Sequence, residues 1–256
     1  EMNKQEKKYT RYALPVEMMD APGVIRGFDF KQGREAERAL RKLGRAFFTG
    51  EGSSRIFPAK HFRYQALVAG GKVVALTDGS RQAAEYDLTR SAVFGASNSG
   101  KTKEVVTLFR ALKKKGHRAV FSLSAFEGTP LGAAASAEYV LSCGKEEAVA
   151  ATKSVVEQAL FYHAILDRLG GKGELARKAK TLARKAEQAL GLRIEPGIVK
   201  QLARSQILHW AGRNTGVAEE LTLKTNEITR KRSAFLEGTY AVHGIEEVMS
   251  PKDAVI

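Results

Sequence analysis

One cysteine, Cys143, stands among the 256 residues, which excludes an intramolecular disulfide and a cysteine-based zinc site. No apolar run approaches the roughly 18 residues that read as a membrane-spanning helix. The opening residues, Glu1-Met2-Asn3-Lys4-Gln5-Glu6-Lys7-Lys8, are charged and lack the apolar core of a secretory signal. These absences set the expectation of a soluble protein of the reducing cytoplasm, without a membrane partner. Aromatics are scarce at 8%, and acid is short, with 28 Asp and Glu against 42 Lys and Arg for a formal charge of +14. Such an excess invites a nucleic-acid reading, because cations neutralising phosphates dominate non-specific binding. Much of it, however, lies in two helical patterns, Arg34 to Arg45 and Lys172 to Lys185, where it alternates with Ala and Leu as a solvated face does. Neither pattern interleaves aromatics as a single-strand-binding surface would, so nucleic acid is not the expected partner. Steering of anionic substrates, or plain solubility, explains the charge as well.

With 43% hydrophobic residues, a substantial core is available. Short apolar runs at Ala46-Phe47-Phe48-Thr49, 73–77, Ala92-Val93-Phe94 and 119–123 alternate with helical patterns at 34–43, 56–69 and 104–115. That alternation implies right-handed βαβ units, hence an α/β fold: three αβα layers around a parallel, doubly wound, Rossmann-like sheet. The stretch 9–33, with Pro15, Pro22, Gly23 and Gly27, is expected to be an irregular lead-in. A long helix at 151–169 ends at Gly170-Gly171-Lys172-Gly173, and 174–190 is expected to be a connector helix. Strand 206–210, loop 211–216 and helix 217–229 open a second unit. The expected organisation is a lead-in and helix over 1–42, a first domain over 43–170, and a connector with a partial second unit over 171–256.

Gly95 to Thr102 admits two readings. Its letters satisfy G-x-x-x-x-G-K-[ST], the nucleotide-cradling P-loop, between a strand and a helix. The same residues spell Ser97-Asn98-Ser99-Gly100-Lys101-Thr102, a hydroxyl-rich loop suited to a sugar phosphate. In either reading, small residues let backbone amides approach an anion at a helix N-terminus. A P-loop enzyme also needs a downstream strand ending in an acid to hold Mg²⁺, and none of the strands after Thr102 ends that way. A second Gly/Ser loop, Gly50-Glu51-Gly52-Ser53-Ser54, follows another strand and has no role in the nucleotide reading. Two such loops at strand carboxyl ends make one polar pocket the expectation.

Gly52-Ser53-Ser54, then Ser97-Asn98-Ser99-Gly100-x-Thr102, then Val149-Ala150-Ala151-Thr152-Lys153 opening a helix, resemble the SIS (sugar isomerase) domain family in order, spacing and strand context. The resemblance extends from about Leu43 to the end of the sequence. It implies that Gly52, Ser53, Ser54, Ser97, Asn98, Ser99 and Thr102 hold a substrate phosphate, and that Val149 and Ala151 line the sugar through their backbone. Two positions depart from the family pattern: Lys101 replaces an acid, and Glu51 replaces a small or thiol residue.

Glu220, Lys224 and Glu227 stand at i, i+4 and i+7, on one helix face. From spacing alone an ordinary helix-surface ion pair is the better reading. The resemblance implies more, since the family carries Glu-x3-Lys-x2-Glu followed by His-Gly, here His243-Gly244. By that analogy Glu227 is the general base of an aldose–ketose proton transfer, Lys224 assists at the oxygens and His243 opens the ring. The family supplies this histidine across a dimer interface, which implies a homodimer. Members also continue well beyond the point where this sequence stops, at Ala254-Val255-Ile256, as if entering a strand. No metal and no cofactor is expected. The expected activity is isomerase, deaminase or deglycase chemistry on a sugar or amino-sugar 6-phosphate; the alternatives are a non-catalytic sugar-phosphate sensor and a P-loop nucleotide binder.

Overall fold

Phe47 and Phe48 are adjacent in sequence and both buried, which a strand allows only when both its faces are covered. In the computed structural model, which describes residues 2–256, they lie in β1 (Arg45–Thr49), flanked by β2 (Val74–Thr77) and β3 (Ala92–Ala96). β4 (Val120–Ser124) and β5 (Ala137–Val140) complete a parallel sheet of order β2-β1-β3-β4-β5. The chain runs from β1 outward to β2, then restarts on the other side at β3. β1 and β3 therefore flank the switch point, where sheets of this order bind ligands.

The stretch expected to be an irregular lead-in is helical instead, as α1 (Lys7–Thr10) and α2 (Ala13–Gly27). Pro22 lies inside α2 and is buried; an interior proline opposes a helix by about 3 kcal/mol, and the packing of α2 through residues such as Ile25 overrides that penalty. α3 (Arg34–Leu43) and α4 (Ile56–Val68) follow. On the other side of the sheet lie α5 (Ser80–Ala83) and α6 (Lys103–Lys114), and α7 (Lys153–Leu169) returns to the first side. Side chains sort by the strand period of two. Phe48, Phe94 and Phe121 pack with Leu40, Phe62 and Tyr162 of α3, α4 and α7. Phe47, Val93 and Val120 pack with Ala83 of α5 and with Val105, Leu108 and Phe109 of α6. The three layers are thus a covered sheet with its own core on each face, as expected.

α8 (Glu174–Leu190), read from sequence as a connector, lies across α2 and α7 and places Ala183 in the first of those cores. A second parallel sheet follows. α9 (Pro196–Arg204) precedes β6 (Leu208–Gly212), then come α10 (Val217–Lys224), β7 (Ser233–Glu237) and β8 (Ala254–Val255), in the order β7-β6-β8. The sequence reading contains neither α9 nor β7. Nor does α10 run unbroken to 229: its last stretch, Thr225–Thr229, is a π-helical turn. No helix among the described residues is long and apolar enough to cross a membrane.

Candidate functional site

At the end of β3 the backbone turns sharply, and the hydroxyls expected to meet a phosphate gather on one another. Ser97 Oγ and Thr102 Oγ1 share a hydrogen bond at 2.7 Å, and the Thr102 amide donates to Ser97 Oγ at 3.4 Å. Ser99 Oγ lies 3.5 Å from Ser97 Oγ and accepts from the Lys101 amide at 3.2 Å. Thr102 is the N-cap of α6, yet its side chain does not cap the helix, so the first-turn amides of α6 are not satisfied by it. Gly95, the first glycine of the P-loop letters, lies inside β3 rather than in the loop. A Cβ there would meet the Phe109 ring at 2.3 Å, so this glycine serves the close approach of α6 to the sheet. Lys101 precedes the helix and is exposed, whereas the lysine of a P-loop sits at the helix start.

The other loop meets this one directly. Thr49 pairs in register with Gly95, and Gly50 abuts the Ala96 carbonyl closely enough that a Cβ would lie 2.9 Å from it. Gly52, Ser53 and Ser54 form a turn of 3-10 helix entering α4, and the two serine hydroxyls make no hydrogen bond among the described residues. Glu51, the departure from the family pattern, accepts from the Ser80 amide at 3.1 Å and so ties this loop to α5.

Sequence reasoning missed the carboxylates that shape the third segment, between β5 and α7. Glu157, fully buried in α7, accepts from the amides of Ser142 and Cys143 and from the Ser142 hydroxyl. Glu17 of α2 accepts from the amides of Glu147 and Ala148. Glu146 accepts from the Thr152 amide and hydroxyl, both at 2.7 Å, from Ser154 Oγ, and from Asn98 Nδ2 at 3.2 Å. Held this way, the segment presents Val149 at 98% exposure with Ala151 half-buried beside it. Asn98 and the partners of Glu17 and Glu157 lie 14 to 131 residues away, so no local pattern announces them; only Thr152 and Ser154 are near Glu146 in the chain. Burial and the neighbouring Glu157 carboxylate push the Cys143 thiol well above its ordinary range, which leaves it protonated and unreactive.

Lys224 bridges the two carboxylates of α10 and its π turn, at 3.0 Å from Glu227 Oε2 and 3.5 Å from Glu220 Oε1. Both Glu220 oxygens are buried without a hydrogen bond among the described residues, so the lysine is their compensating charge. The three side chains thus meet as their spacing predicts, although the π turn has replaced the regular helix beneath Glu227. This helix lies against the first loop. A Cβ on Gly52 would touch Leu223 Cδ2 at 3.5 Å, Lys60 of α4 pairs with Glu219, and Arg63 donates to the Asn214 carbonyl. Gly216, at φ +88°, fits so tightly over the start of α4 that a Cβ would come within 2.7 Å of the Ile56 oxygen and Phe57 Cα. His243 is not brought to this cluster by any described contact; it sits on an exposed turn after a 3-10 helix, Tyr240–Val242.

The other histidines lie apart. His61 and His163 meet edge to face with centroids 5.4 Å apart, beside an apolar cleft of about 410 Å³ between α4, α7 and α8. Burial pushes His61 down to about 4, helped by the His163 charge, and lowers His163 against the opposing pull of Asp167. His209 is buried in β6, 3.8 Å from Asp253. Among the described residues no three His, Cys, Asp or Glu side chains gather as a metal centre requires.

Against known families, the SIS domain model matches residues 39–168, just over half the chain. The chain belongs to the SIS domain family. This SIS domain holds β1 to β5 and both hydroxyl loops. No curated protein matches the chain. Among solved structures, it is similar to the C-terminal domain of glucosamine-fructose-6-phosphate aminotransferase from Francisella tularensis, at TM-score 0.79 and 17% identity over 98% of this chain and 76% of that one. A candidate phosphosugar isomerase from Silicibacter pomeroyi DSS-3 gives TM-score 0.78 and 21% identity over 91% of this chain and 73% of that one. Glucosamine-6-phosphate deaminase from Thermotoga maritima gives TM-score 0.69 and 20% identity over 95% of this chain and 76% of that one. At these identities the likeness is one of fold.

Proposed function

We propose that the protein binds a sugar or amino-sugar 6-phosphate across the two hydroxyl loops and processes it as an isomerase, or as a related deaminase or deglycase. The observation that carries this reading is the cradle at the switch point: Ser97, Ser99 and Thr102 converge at the start of α6, and Ser53 and Ser54 stand on the adjoining strand end. The Glu220, Lys224 and Glu227 face packs beside that cradle through Leu223 and Gly52. In this reading Ser53, Ser54, Ser97, Asn98, Ser99 and Thr102 take the phosphate, and the backbone of Val149 and Ala151 lines the sugar. Glu227 moves a proton between the two carbons next to the carbonyl, and Lys224 steadies the developing charge on the oxygens. His243 opens the ring from the other copy of a cytoplasmic homodimer, which fits its position on an exposed turn. The names of the aminotransferase and the deaminase similar in fold agree with this substrate class.

The test is a thermal-shift panel of hexose and amino-sugar 6-phosphates, followed by turnover assays of any that bind. A positioned carboxylate base contributes roughly 10²- to 10⁴-fold to rate, so Glu227→Gln is expected to lose turnover on that scale while retaining binding. Unchanged turnover in that variant would sink the catalytic assignment. A second reading, binding without chemistry, is favoured by one observation: Glu227 is ion-paired with Lys224 at 3.0 Å rather than free in an apolar pocket. Stabilisation by a sugar phosphate with no turnover in the wild type would select it.

A further inference from the structure

Glu146 joins two segments to which the proposed function assigns different parts of one ligand. Its carboxylate takes Asn98 Nδ2 from the phosphate loop and the Thr152 amide, Thr152 hydroxyl and Ser154 hydroxyl from the sugar-lining segment. No other hydrogen bond among the described residues links 97–102 to 145–154. A carboxylate only accepts, so it dictates which end of the Asn98 amide faces it. The opposite end, Asn98 Oδ1, is left buried without a donor. That atom is out of reach of solvent, so the Asn98 side chain is committed to the contact with Glu146.

We propose that Glu146 is a positioning residue that clamps the phosphate loop to the sugar-lining segment, so that a sugar phosphate, which touches both segments, depends on it, whereas inorganic phosphate, held by the phosphate loop alone, does not. This rests on the phosphosugar reading above for the identity of the ligand, though the clamp itself does not. Glu146 touches no reacting atom; it acts through Asn98 and the backbone of Val149 to Thr152. Its neighbour Glu17 holds the amides of Glu147 and Ala148 from the other side, so the segment stays attached to the body when Glu146 is changed.

Calorimetric titration of the full chain with glucose 6-phosphate, fructose 6-phosphate and inorganic phosphate tests this dependence. Loss of one well-placed hydrogen bond corresponds to roughly tenfold in affinity. Glu146→Ala is therefore expected to weaken the hexose phosphate that the wild type binds by about tenfold, and inorganic phosphate by less than about twofold. Glu146→Gln, which keeps an acceptor for Thr152, is expected to recover part of the loss. Equal weakening of both ligands, or of neither, overturns the dependence. Hydrogen exchange on the ligand-free variants tests the clamp independently of any ligand. Amides of 97–102 and of 147–152 should speed up together in Glu146→Ala, and acceleration of only one segment overturns it. A wild type that binds inorganic phosphate and no hexose phosphate would remove the phosphosugar reading, while the exchange result still judges the clamp.

Discussion

The two sheets have the same plan and unequal cover. In each, the first strand ends in a glycine-bearing loop and a helix, the second strand lies to one side and the third to the other, giving β2-β1-β3 and β7-β6-β8. The first sheet buries Phe47, Phe48, Phe94 and Phe121 to 1% exposure or less, under helices on both faces. In the second, α9 has no buried residue, and Val217, Leu221, Val255 and Ile256 are all at least 40% exposed. Strand order therefore does not require a full core: the right-handed crossover of each βαβ unit fixes it locally. Stability does require one. The first sheet is the frame that carries both hydroxyl loops, and the second brings a charged helix to its edge.

The sharpest way to break this contrast is to remove one large side chain from each sheet. Phe48 contacts Phe94, Phe62 and Tyr162, with centroids 5.0, 4.7 and 4.7 Å away, so Phe48→Ala should lower unfolding stability by about 3–5 kcal/mol in urea titration. Leu236→Ala, in the thinly covered sheet, should lower it by about 2 kcal/mol, near the low end for such a change. A reversed ranking would mean that the second sheet carries the fold. Acid offers a middle-sized test confined to the helices over the first sheet. His61 titrates near 4 when folded and near 6.5 when unfolded, so the unfolded chain takes up the proton first. Stability attributable to this group is complete above about pH 6.5 and falls by up to about 3 kcal/mol as the pH drops toward 4, then levels off. His61→Leu should flatten that part of the pH profile; a profile unchanged by the substitution would show that the acid sensitivity arises elsewhere. The smallest effect belongs to Lys101, which is exposed and has no described side-chain partner. Lys101→Ala should shift stability by less than about 0.5 kcal/mol and confer no change in ATP binding, and a large loss of nucleotide binding would revive the P-loop reading.

Much of the first sheet was legible because each run of apolar residues was short, bounded by glycine and matched to a helix of the right length. α3 and α8 fall where their Ala/Leu periodicity places them. α2 was hidden by Pro22 and Gly23, which signal a break locally and are outweighed by tertiary packing. α9 did carry a signal that went unread: Glu195 accepts from the amides of Gly197 and Ile198, and Pro196 occupies the first turn. β7 follows the basic run Arg230-Lys231-Arg232, and its apolar centre Ala234-Phe235-Leu236, as apolar as that of β1, went unread. At the site, the hydroxyls could be found from their motif because they are close in sequence. Glu17, Glu146 and Glu157 could not, because each binds amides or side chains that only the folded chain brings near.

Gly216 gives the joint between the sheets a thickness of one hydrogen atom. Its missing methyl is what lets the loop after β6 lie flat on the first turn of α4, whose preceding residues are the Gly52 to Ser54 turn. A single carbon added there acts as a shim. It would push the helix bearing Lys224, with the π turn of Glu227 behind it, away from the Gly52 to Ser54 loop while altering no polar group in either. The two halves of the molecule are thus spaced by a residue without a side chain, and the reach from the hydroxyl loops to the Lys224 carboxylate pair is set mechanically at that point.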